Sequence, residues 1–205
     1  MSINRKFFFE EVKLRLFDGS MRPSQVSSLN GILDAWESRT ARSDDRWLAY
    51  MLGTTHHETG RTMQPVRETF ASTDDKAIAI LSKAWKAGKL PWVERDYWSR
   101  DADGKSWLGR GFVQLTHKTN YQKMSNLTGE DLVSHPENAM KIPVATKILI
   151  EGMIAGSFTG KKLGDYFNQT KEDWVNARRI INGVERAELV ASYARKYYAA
   201  ISYTL

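Results

Sequence analysis

The stretch RWLAYMLGTTHHETG, residues 46–60, combines a long apolar run with a single carboxylate near its end. Glu58 falls about three helical turns after the first tryptophan of the run, so it shares the face of the apolar side chains. Ser43-Asp44-Asp45 offers capping groups at the start, and Gly60 favours an end. We therefore predict a buried helix over residues 46–59. The residues that share its apolar face are Trp47, Tyr50, Met51 and Thr54.

The position of Glu58 suggests a chemical role for its carboxylate. A carboxyl group at the end of an apolar face is partly desolvated, and desolvation raises the pKa of an acid. A glutamic acid with a raised pKa can donate a proton near neutral pH, which is the task of a general acid. An ordinary ion pair with Arg61 is the structural alternative, and helix periodicity alone favours that alternative.

His56 and His57 precede Glu58 and raise the question of a metal site. The order His-His-Glu-Thr-Gly differs from the His-Glu-x-x-His pattern of zinc-dependent peptidases. The chain contains four histidines and no cysteine, so neither a thiolate site nor a disulfide can form. We predict no metal and no cofactor, and the lack of cysteine is typical of folding in a reducing compartment.

A second carboxylate, Glu68, follows Glu58 along the chain. Gly60 and Pro65 interrupt the helix between them, so we expect Glu68 on a loop that folds back toward Glu58. Two carboxylates that face each other with room for a water molecule would suit hydrolysis of a sugar bond with inversion. A surface ion pair with Arg67 is the alternative interpretation of Glu68.

The block GRGFVQLT, residues 109–116, places two glycines before an apolar stretch. Glycines at such a position permit close approach of a neighbouring chain or a ligand. We predict a short strand over residues 112–115, with Gln114 and Thr116 on one face, where they could position a water molecule and bind sugar hydroxyls. Phosphate binding finds no support because no Gly-Lys-Ser/Thr follows. A core strand with incidental polar residues stays open.

Helical periodicity recurs along most of the chain, and strand-like alternation is scarce. Thr73, Asp74 and Asp75 offer capping groups to a helix that starts at residue 76, and we favour that role over a catalytic one for the two aspartates. Residues 90–115 look irregular. The expected fold class is mainly α, with at most a small β-sheet. Further helices are predicted over residues 4–17, 24–38, 76–87, 117–126, 143–155, 172–181 and 185–201.

Composition fits one globular domain. The chain has 205 residues, of which 41% are hydrophobic and 26% charged, and a domain of this size can form two lobes around a cleft. The net charge is +6, and residues 76–123 hold ten Lys or Arg against four Asp or Glu. Such a surplus serves solubility or attracts a polyanion, which could be nucleic acid, an anionic membrane or a carboxylate-bearing cell wall. No nucleic-acid-binding signature is present, so we expect no nucleic acid as partner.

Two further groups of residues have more than one interpretation. The aromatic residues between positions 85 and 107 are expected mostly to pack in the core, with one or two lining a sugar groove. The C-terminal segment 185–205 carries an apolar stripe that includes Val190, Ala194 and Tyr197, for which core packing is favoured over contact with a membrane. The aromatic group consists of Trp85, Trp92, Tyr97, Trp98 and Trp107.

Three motifs together resemble glycoside hydrolase family 19, the chitinase-like lysozymes, and are most similar to its phage-endolysin branch. They are His57-Glu58-Thr59-Gly60, the block 109–116 followed by Asn120-Tyr121, and Ile180-Ile181-Asn182-Gly183. Their order and separation fit that family over about residues 45–200. The resemblance implies a lysozyme-like, two-lobed, α-rich catalytic domain that spans residues 1–205. Its expected parts are an N-terminal helical part over residues 1–42 and a catalytic core over residues 43–205.

The resemblance also implies roles for individual side chains. Glu58 becomes the general acid, Glu68 the general base, and Thr116 the residue that positions the attacking water molecule. The family is similar in needing no metal and no cofactor. Substrate contacts are implied for Gln114, Asn120, Tyr121, Asn182 and His57.

Departures from the plant members favour the bacterial and phage branch. The spacing between Glu58 and Glu68 is shorter, Val184 replaces a second glycine after Asn182-Gly183, and the plant disulfides are absent. The implied function is a peptidoglycan hydrolase that cleaves the β-1,4 bond between N-acetylmuramic acid and N-acetylglucosamine by inversion. A chitinase and a non-catalytic wall-binding protein are the alternatives.

Bacterial peptidoglycan is therefore the expected partner, and the chain is expected to act as a monomer. Its first residues lack the apolar core of a signal peptide, and no apolar run is long enough to span a bilayer. We expect synthesis in the host cytoplasm and action on the cell wall after release by another factor.

Overall fold

A computed structural model describes residues 2–39 and 44–204. These residues form seven α-helices and one sheet of two short strands, which confirms the mainly α class. Ser43 and the predicted boundary between residues 42 and 43 lie outside the described residues. The helices are α1 (Arg5–Leu16), α2 (Pro23–Glu37), α3 (Asp45–Glu58), α4 (Asp74–Lys86), α5 (Lys118–Thr128), α6 (Ile142–Ala155) and α7 (Ala187–Ala200). The strands are β1 (Val66–Arg67) and β2 (Arg110–Gly111).

Side-chain caps set the start of the two helices that flank the carboxylates. The Asp44 side chain accepts a hydrogen bond from the backbone N–H of Arg46 at 3.0 Å, as expected for the start of α3. At the start of α4, Thr73 accepts from the backbone N–H of Lys76 at 3.3 Å. Helix α3 ends at Glu58, one residue before the predicted end at residue 59.

The helix predicted over residues 172–181 is wrong. Only Asn176–Ile180 is helical, as a short 3-10 helix. The Asp173 carboxylate accepts from the backbone N–H of Asn176 at 3.0 Å, and the Trp174 indole N–H donates to Glu172 at 2.7 Å. These local bonds compete with the α-helical pattern.

Helix α3 lies at the centre of the core and packs against α7. A β-carbon added to Gly53 would lie 2.7 Å from the backbone nitrogen of Ala194, so the two helices touch backbone against backbone. Val190, Ala194 and Tyr197 are fully buried, which confirms core packing for the inner part of the C-terminal stripe. Of its other predicted members, Tyr193 and Ile201 are partly buried and Tyr198 is exposed. None of the helices in the described ranges is long and apolar enough to cross a membrane.

A second, smaller hydrophobic cluster is built by α4 and the irregular segment after it. Its buried members are separate from the large core around α3, so the domain has two hydrophobic centres of unequal size. Strands β1 and β2 pair antiparallel, with Arg67 opposite Arg110. The buried members of the small cluster are Ala77, Leu81, Trp98 and Leu108.

The two ends of the described chain pair with each other. Ile3 and Tyr203 form an antiparallel bridge, and the backbone N–H of Asn4 donates to the Ser202 carbonyl at 2.7 Å. Helix α1 packs on α7 beside this bridge. The first and last helices therefore close the fold together.

We expect Gly53→Ala to lower the free energy of unfolding by about 1–3 kcal/mol, because its methyl group would overlap the α7 backbone. Gly31→Ala in α2 is the matched control, since the nearest atom there is Ile142 Cγ2 at 3.4 Å. That change should be neutral or stabilising by up to about 1 kcal/mol through helix propensity. Denaturant unfolding of both variants gives the measurement. Equal effects would contradict the close α3–α7 contact.

Candidate active site

Glu58 lies in the last turn of α3 and forms an ion pair with Arg178. The two side chains are 2.6 Å apart, with 16% of the Glu58 side chain and 4% of the Arg178 side chain exposed. Arg178 also donates from Nε to the Glu185 carbonyl at 3.2 Å. The ion pair predicted with Arg61 is therefore wrong, because Arg61 pairs instead with Asp18. Glu58 is thus held by a cation that is almost fully buried.

His57 and Asn182 lie near the Glu58–Arg178 pair. Burial lowers the pKa of His57, and the positive charge of Arg178 adds to this effect, whereas the Glu58 carboxylate opposes it. The Asn182 backbone N–H donates to the Arg178 carbonyl at 3.1 Å. The Asn182 side chain is exposed and accepts from the backbone N–H of Gly183 at 2.8 Å. His57 thus adjoins Glu58 along α3, and Asn182 contacts its partner Arg178 through the backbone.

Glu68 follows β1 directly and has both carboxylate oxygens occupied. Oε2 accepts from the backbone N–H of Gly109 at 2.8 Å, and Oε1 accepts from the Tyr97 hydroxyl at 2.5 Å. The Glu68 backbone N–H in turn donates to the Gly109 carbonyl at 2.7 Å. Burial raises the pKa of Tyr97, and the hydrogen bond to Glu68 raises it further. Glu68 is therefore fixed to the residue before β2, and the ion pair expected with Arg67 does not form, since Arg67 pairs with Asp74.

The strand predicted over residues 112–115 is a tight turn instead. The Arg110 backbone exchanges hydrogen bonds with Leu115 at 3.2 and 2.9 Å, which reverses the chain within a few residues. Gly111 has a φ of +87°, and a β-carbon there would lie 3.0 Å from the Ala139 carbonyl oxygen, so the turn needs glycine. Gln114, with a φ of +53°, also adopts a left-handed conformation.

Glu68, Gln114 and Thr116 nevertheless converge at Gly109. A β-carbon added to Gly109 would lie 2.9 Å from Gln114 Oε1, 3.3 Å from Glu68 Oε2 and 3.3 Å from Thr116 Cγ2. The Gln114 amide N–H donates to the Val66 carbonyl at 3.0 Å, which holds its oxygen toward this point. Because Gly109 has no side chain, these three side chains can close on its backbone, Gln114 and Glu68 with oxygen atoms and Thr116 with its methyl group.

Asp74 belongs to a buried ionic network and not to the carboxylate pair. Its oxygens accept from Arg67 and Arg110, each at 2.6 Å. Burial would raise the pKa of Asp74, but the hydrogen bonds and charges of the two arginines outweigh it and lower the pKa. Asp75 is exposed and pairs with Arg100. Both aspartates are therefore engaged by arginines and do not replace Glu68 as the candidate base.

Tyr121, predicted to contact substrate, lies in the core instead. It is fully buried, accepts from Arg110 at 2.8 Å and donates to the Leu108 carbonyl at 2.9 Å. Burial raises its pKa to about 12. Its ring lies beside the Arg110 guanidinium, so Tyr121 supports β2 from within the core. Asn120, one residue earlier in α5, is half-buried.

Fewer than half of the aromatic residues between positions 85 and 107 are buried, so the predicted core packing holds for only part of this group. Trp98 and Trp107 are buried, whereas Trp92 is 74% exposed. Tyr97 stands between these groups: its ring lies against Trp98 and His117, and its hydroxyl contacts Glu68. Tyr97 therefore contacts the candidate site through its hydroxyl and not through its ring.

A contact between Gly60 and Phe70 joins the two carboxylate-bearing segments. A β-carbon on Gly60 would lie 3.2 Å from two atoms at the far end of the Phe70 ring. Gly60 comes two residues after Glu58, and Phe70 comes two residues after Glu68. The connecting segment therefore folds back far enough for Phe70 to contact Gly60, and the approach of Glu68 to Glu58 stays a prediction.

Sequence reasoning missed Arg178 and the hydroxyl of Tyr97. Arg178 lies four residues before Asn182, so its nearness to that motif was the available signal. A buried arginine requires an acidic partner, but burial could not be read from the irregular stretch around it. The separation of Tyr97 and Glu68 in sequence follows no regular pattern, because the two residues meet only in the folded chain.

No group of three or more His, Asp or Glu side chains in residues 2–39 and 44–204 is arranged to hold a metal ion. Comparison with protein-family models, curated proteins and solved structures found no match for this chain.

His56 is buried beside the site and interacts with α7. Its Nδ1 lies 3.0 Å from the Tyr197 hydroxyl, and its ring packs on Tyr193 and Phe17. Burial lowers the pKa of His56 to about 3, and the nearby positive charge of Arg61 adds to this. The folded protein therefore keeps His56 neutral over a pH range in which the unfolded chain binds a proton.

We expect the free energy of unfolding to fall as pH drops below about 6.5, by up to about 1.4 kcal/mol per pH unit from His56 alone. The sign follows because the unfolded chain takes up a proton near pH 6.5, whereas the folded chain does so only near the lowered pKa of about 3. Replacement by His56→Gln should flatten this dependence. The matched control is His135→Gln at an exposed position. Denaturant unfolding from pH 7.5 to 4.5 measures this pH dependence. If the free energy of unfolding changes with pH equally in wild type and His56→Gln, the prediction is contradicted.

Proposed function

We propose that this protein is a peptidoglycan hydrolase that cleaves the β-1,4 bond between N-acetylmuramic acid and N-acetylglucosamine with inversion. The observation that carries the proposal is the convergence of Glu68, Gln114 and Thr116 at Gly109. In this reaction Glu68 removes a proton from a water molecule, Thr116 helps to position that water, and Glu58 protonates the leaving oxygen.

The support for this assignment comes from the different environments of the two carboxylates. Glu68 accepts two hydrogen bonds, from Gly109 and Tyr97, which hold its carboxylate in one orientation. Glu58 has one partner, Arg178, and its other oxygen has no protein donor among the described hydrogen bonds. Two carboxylates with separate environments are the arrangement that acid–base catalysis requires.

The positive charge of residues 76–123, which contain most of the small hydrophobic cluster, favours peptidoglycan over chitin as the substrate. The surplus of Lys and Arg in residues 76–123 surrounds the small hydrophobic cluster, and Lys83, Lys86 and Lys89 are exposed around the end of α4. Chitin is neutral, whereas peptidoglycan carries lactyl and peptide carboxylates. Attraction between these charges supports peptidoglycan binding.

A non-catalytic wall-binding protein is the second candidate, and one observation favours it. Glu58 and Glu68 are both already engaged by protein groups, so each also has a structural explanation. Purified peptidoglycan separates the two candidates, because only a hydrolase releases new reducing ends. Mass spectrometry of those ends identifies the bond: muramic acid ends indicate a muramidase, and glucosamine ends a glucosaminidase. Cleavage of chitin but not of peptidoglycan would assign the protein as a chitinase.

We expect Glu58→Gln and Glu68→Gln each to reduce the rate of peptidoglycan hydrolysis by roughly 10²–10⁴-fold, because an amide can neither deliver nor accept the proton. Glu10→Gln, at an exposed position of α1, is the control and should retain the wild-type rate. Turbidity loss of purified wall measures the rate. NMR of the first product should show the α anomer. Rates within a few-fold of wild type for the Glu58 variant, or an initial β anomer, would overturn the mechanism.

We expect Tyr97→Phe to lower kcat by about tenfold, the size of one charge-assisted hydrogen bond, because the Tyr97 hydroxyl fixes the Glu68 carboxylate. Tyr198→Phe, which removes a hydroxyl from the surface of α7, is the control. An unchanged kcat in Tyr97→Phe would contradict a role for this hydroxyl in holding Glu68.

A further inference from the structure

Phe70 is an aromatic side chain that the catalytic proposal does not use, although it comes two residues after Glu68 and its ring lies against Gly60, two residues after Glu58. Its position follows from the fold: its ring touches Gly60, and the chain enters it directly from Glu68. The ring is 61% exposed. Among the large hydrophobic side chains of the smaller lobe and its connections, only Trp92 in the described chain is more exposed.

The backbone at Phe70 holds the ring in place at a cost. Thr69 and Phe70 both have left-handed conformations, with φ of +61° and +57°. Residues with a β-carbon rarely adopt this conformation. A strand such as β1 can end without two left-handed residues in succession. Outliers of this kind persist where the surrounding structure fixes them, and they occur often at functional sites. These two residues direct an apolar ring toward solvent, where the ring gains little stabilisation from burial.

From these observations we infer that Phe70 is a sugar-binding residue, which packs its exposed ring against an N-acetylhexosamine unit of a β-1,4-linked glycan. The inference rests on the proposed function for the identity of the ligand. The faces of a pyranose ring carry C–H groups that pack on an aromatic ring, whereas the hydroxyls at its edge need polar partners. Gln114 supplies an amide oxygen close to Glu68, at Gly109. An aromatic surface next to the two carboxylate-bearing segments would hold the sugar whose bond is cut.

Gly60 contributes to this arrangement by having no side chain. A methyl group there would lie 3.2 Å from the Phe70 ring and would have to displace it. The segment that carries Glu58 thus leaves room for the ring, while the segment that carries Glu68 provides it. Any glycan in contact with Phe70 would touch both halves of the proposed site.

The test measures binding of the neutral tetramer of N-acetylglucosamine to the Glu58→Gln protein by NMR titration, so that hydrolysis and wall charge play no part. We expect Phe70→Ala to weaken binding about tenfold, the size expected for the loss of one partly covered apolar ring. Phe70→Trp should restore it. Phe7→Ala in α1, a second partly exposed phenylalanine, is the control and should bind as the parent does.

Affinity unchanged in Phe70→Ala, or no binding of the tetramer by the parent, would overturn the inference. So would a normal affinity in Phe70→Leu, because the aromatic ring would then be dispensable. If Phe70→Ala keeps its affinity but sediments as a smaller species at high concentration, the ring is a self-association contact and not a sugar site. Gly60→Ala gives an independent second variant, which should weaken tetramer binding without removing the ring.

The outcomes distinguish this inference from the proposed function. Tetramer binding that depends on Phe70, in a protein that releases no reducing ends, would support the sugar site and reject the hydrolase. Hydrolysis that depends on Glu58 while binding is independent of Phe70 would do the reverse. A raised KM with a retained kcat for Phe70→Ala on peptidoglycan would support both.

Discussion

The backbone contact between α3 and α7 is the constraint on which the rest of the structure depends. At Gly53 the two helices approach so closely that no side chain fits between them. This contact fixes the depth of α3 in the core and therefore the place where its last turn reaches the surface. The same packing orders the segment before α7, from which Arg178 reaches Glu58. One glycine thus governs the distance between a carboxylate and its cationic partner.

The second carboxylate is held by a separate set of interactions. Asp74 bridges Arg67 of β1 and Arg110 of β2, and so ties the two strands to the start of α4. Arg110 is completely buried, and removal of its acidic partner would leave an uncompensated charge in the interior. Glu68 follows directly from this locked pair of strands. Its orientation is therefore set before any ligand arrives, which reduces the entropy that binding must overcome.

The sequence predicted most of the helices because amphipathic periodicity and capping residues act locally. Helix α3 illustrates this, since its apolar face, its Asp44 cap and its end at Glu58 are all encoded within a few residues. The turn after β2 could not be predicted in the same way. Its left-handed Gln114 is imposed by the Val66 carbonyl, which lies far away in sequence. A short apolar run between turn residues is ambiguous without such a partner.

The candidate site was likewise predictable only in part. Motifs identified Glu58 and Glu68, but their partners Arg178 and Tyr97 come from segments without regular periodicity. Tyr121 illustrates the opposite error, because a polar aromatic near a motif suggested a ligand contact, whereas its hydroxyl satisfies Arg110. Side-chain chemistry indicates what a residue can do. Burial, which depends on distant parts of the chain, decides which of those options is available.

The central position of α3 also has a consequence for biosynthesis. His56 of α3 and its partner Tyr197 of α7 are 141 residues apart in sequence. A ribosome at the usual rate of roughly 5–20 residues per second needs on the order of ten seconds to make that stretch. Throughout this time the central helix of the large core lacks its cover, so the nascent chain is open to aggregation and to chaperones. Because the chain ends pair at Ile3 and Tyr203, a circular permutant that begins with α7 would place the two helices close in synthesis order without moving either.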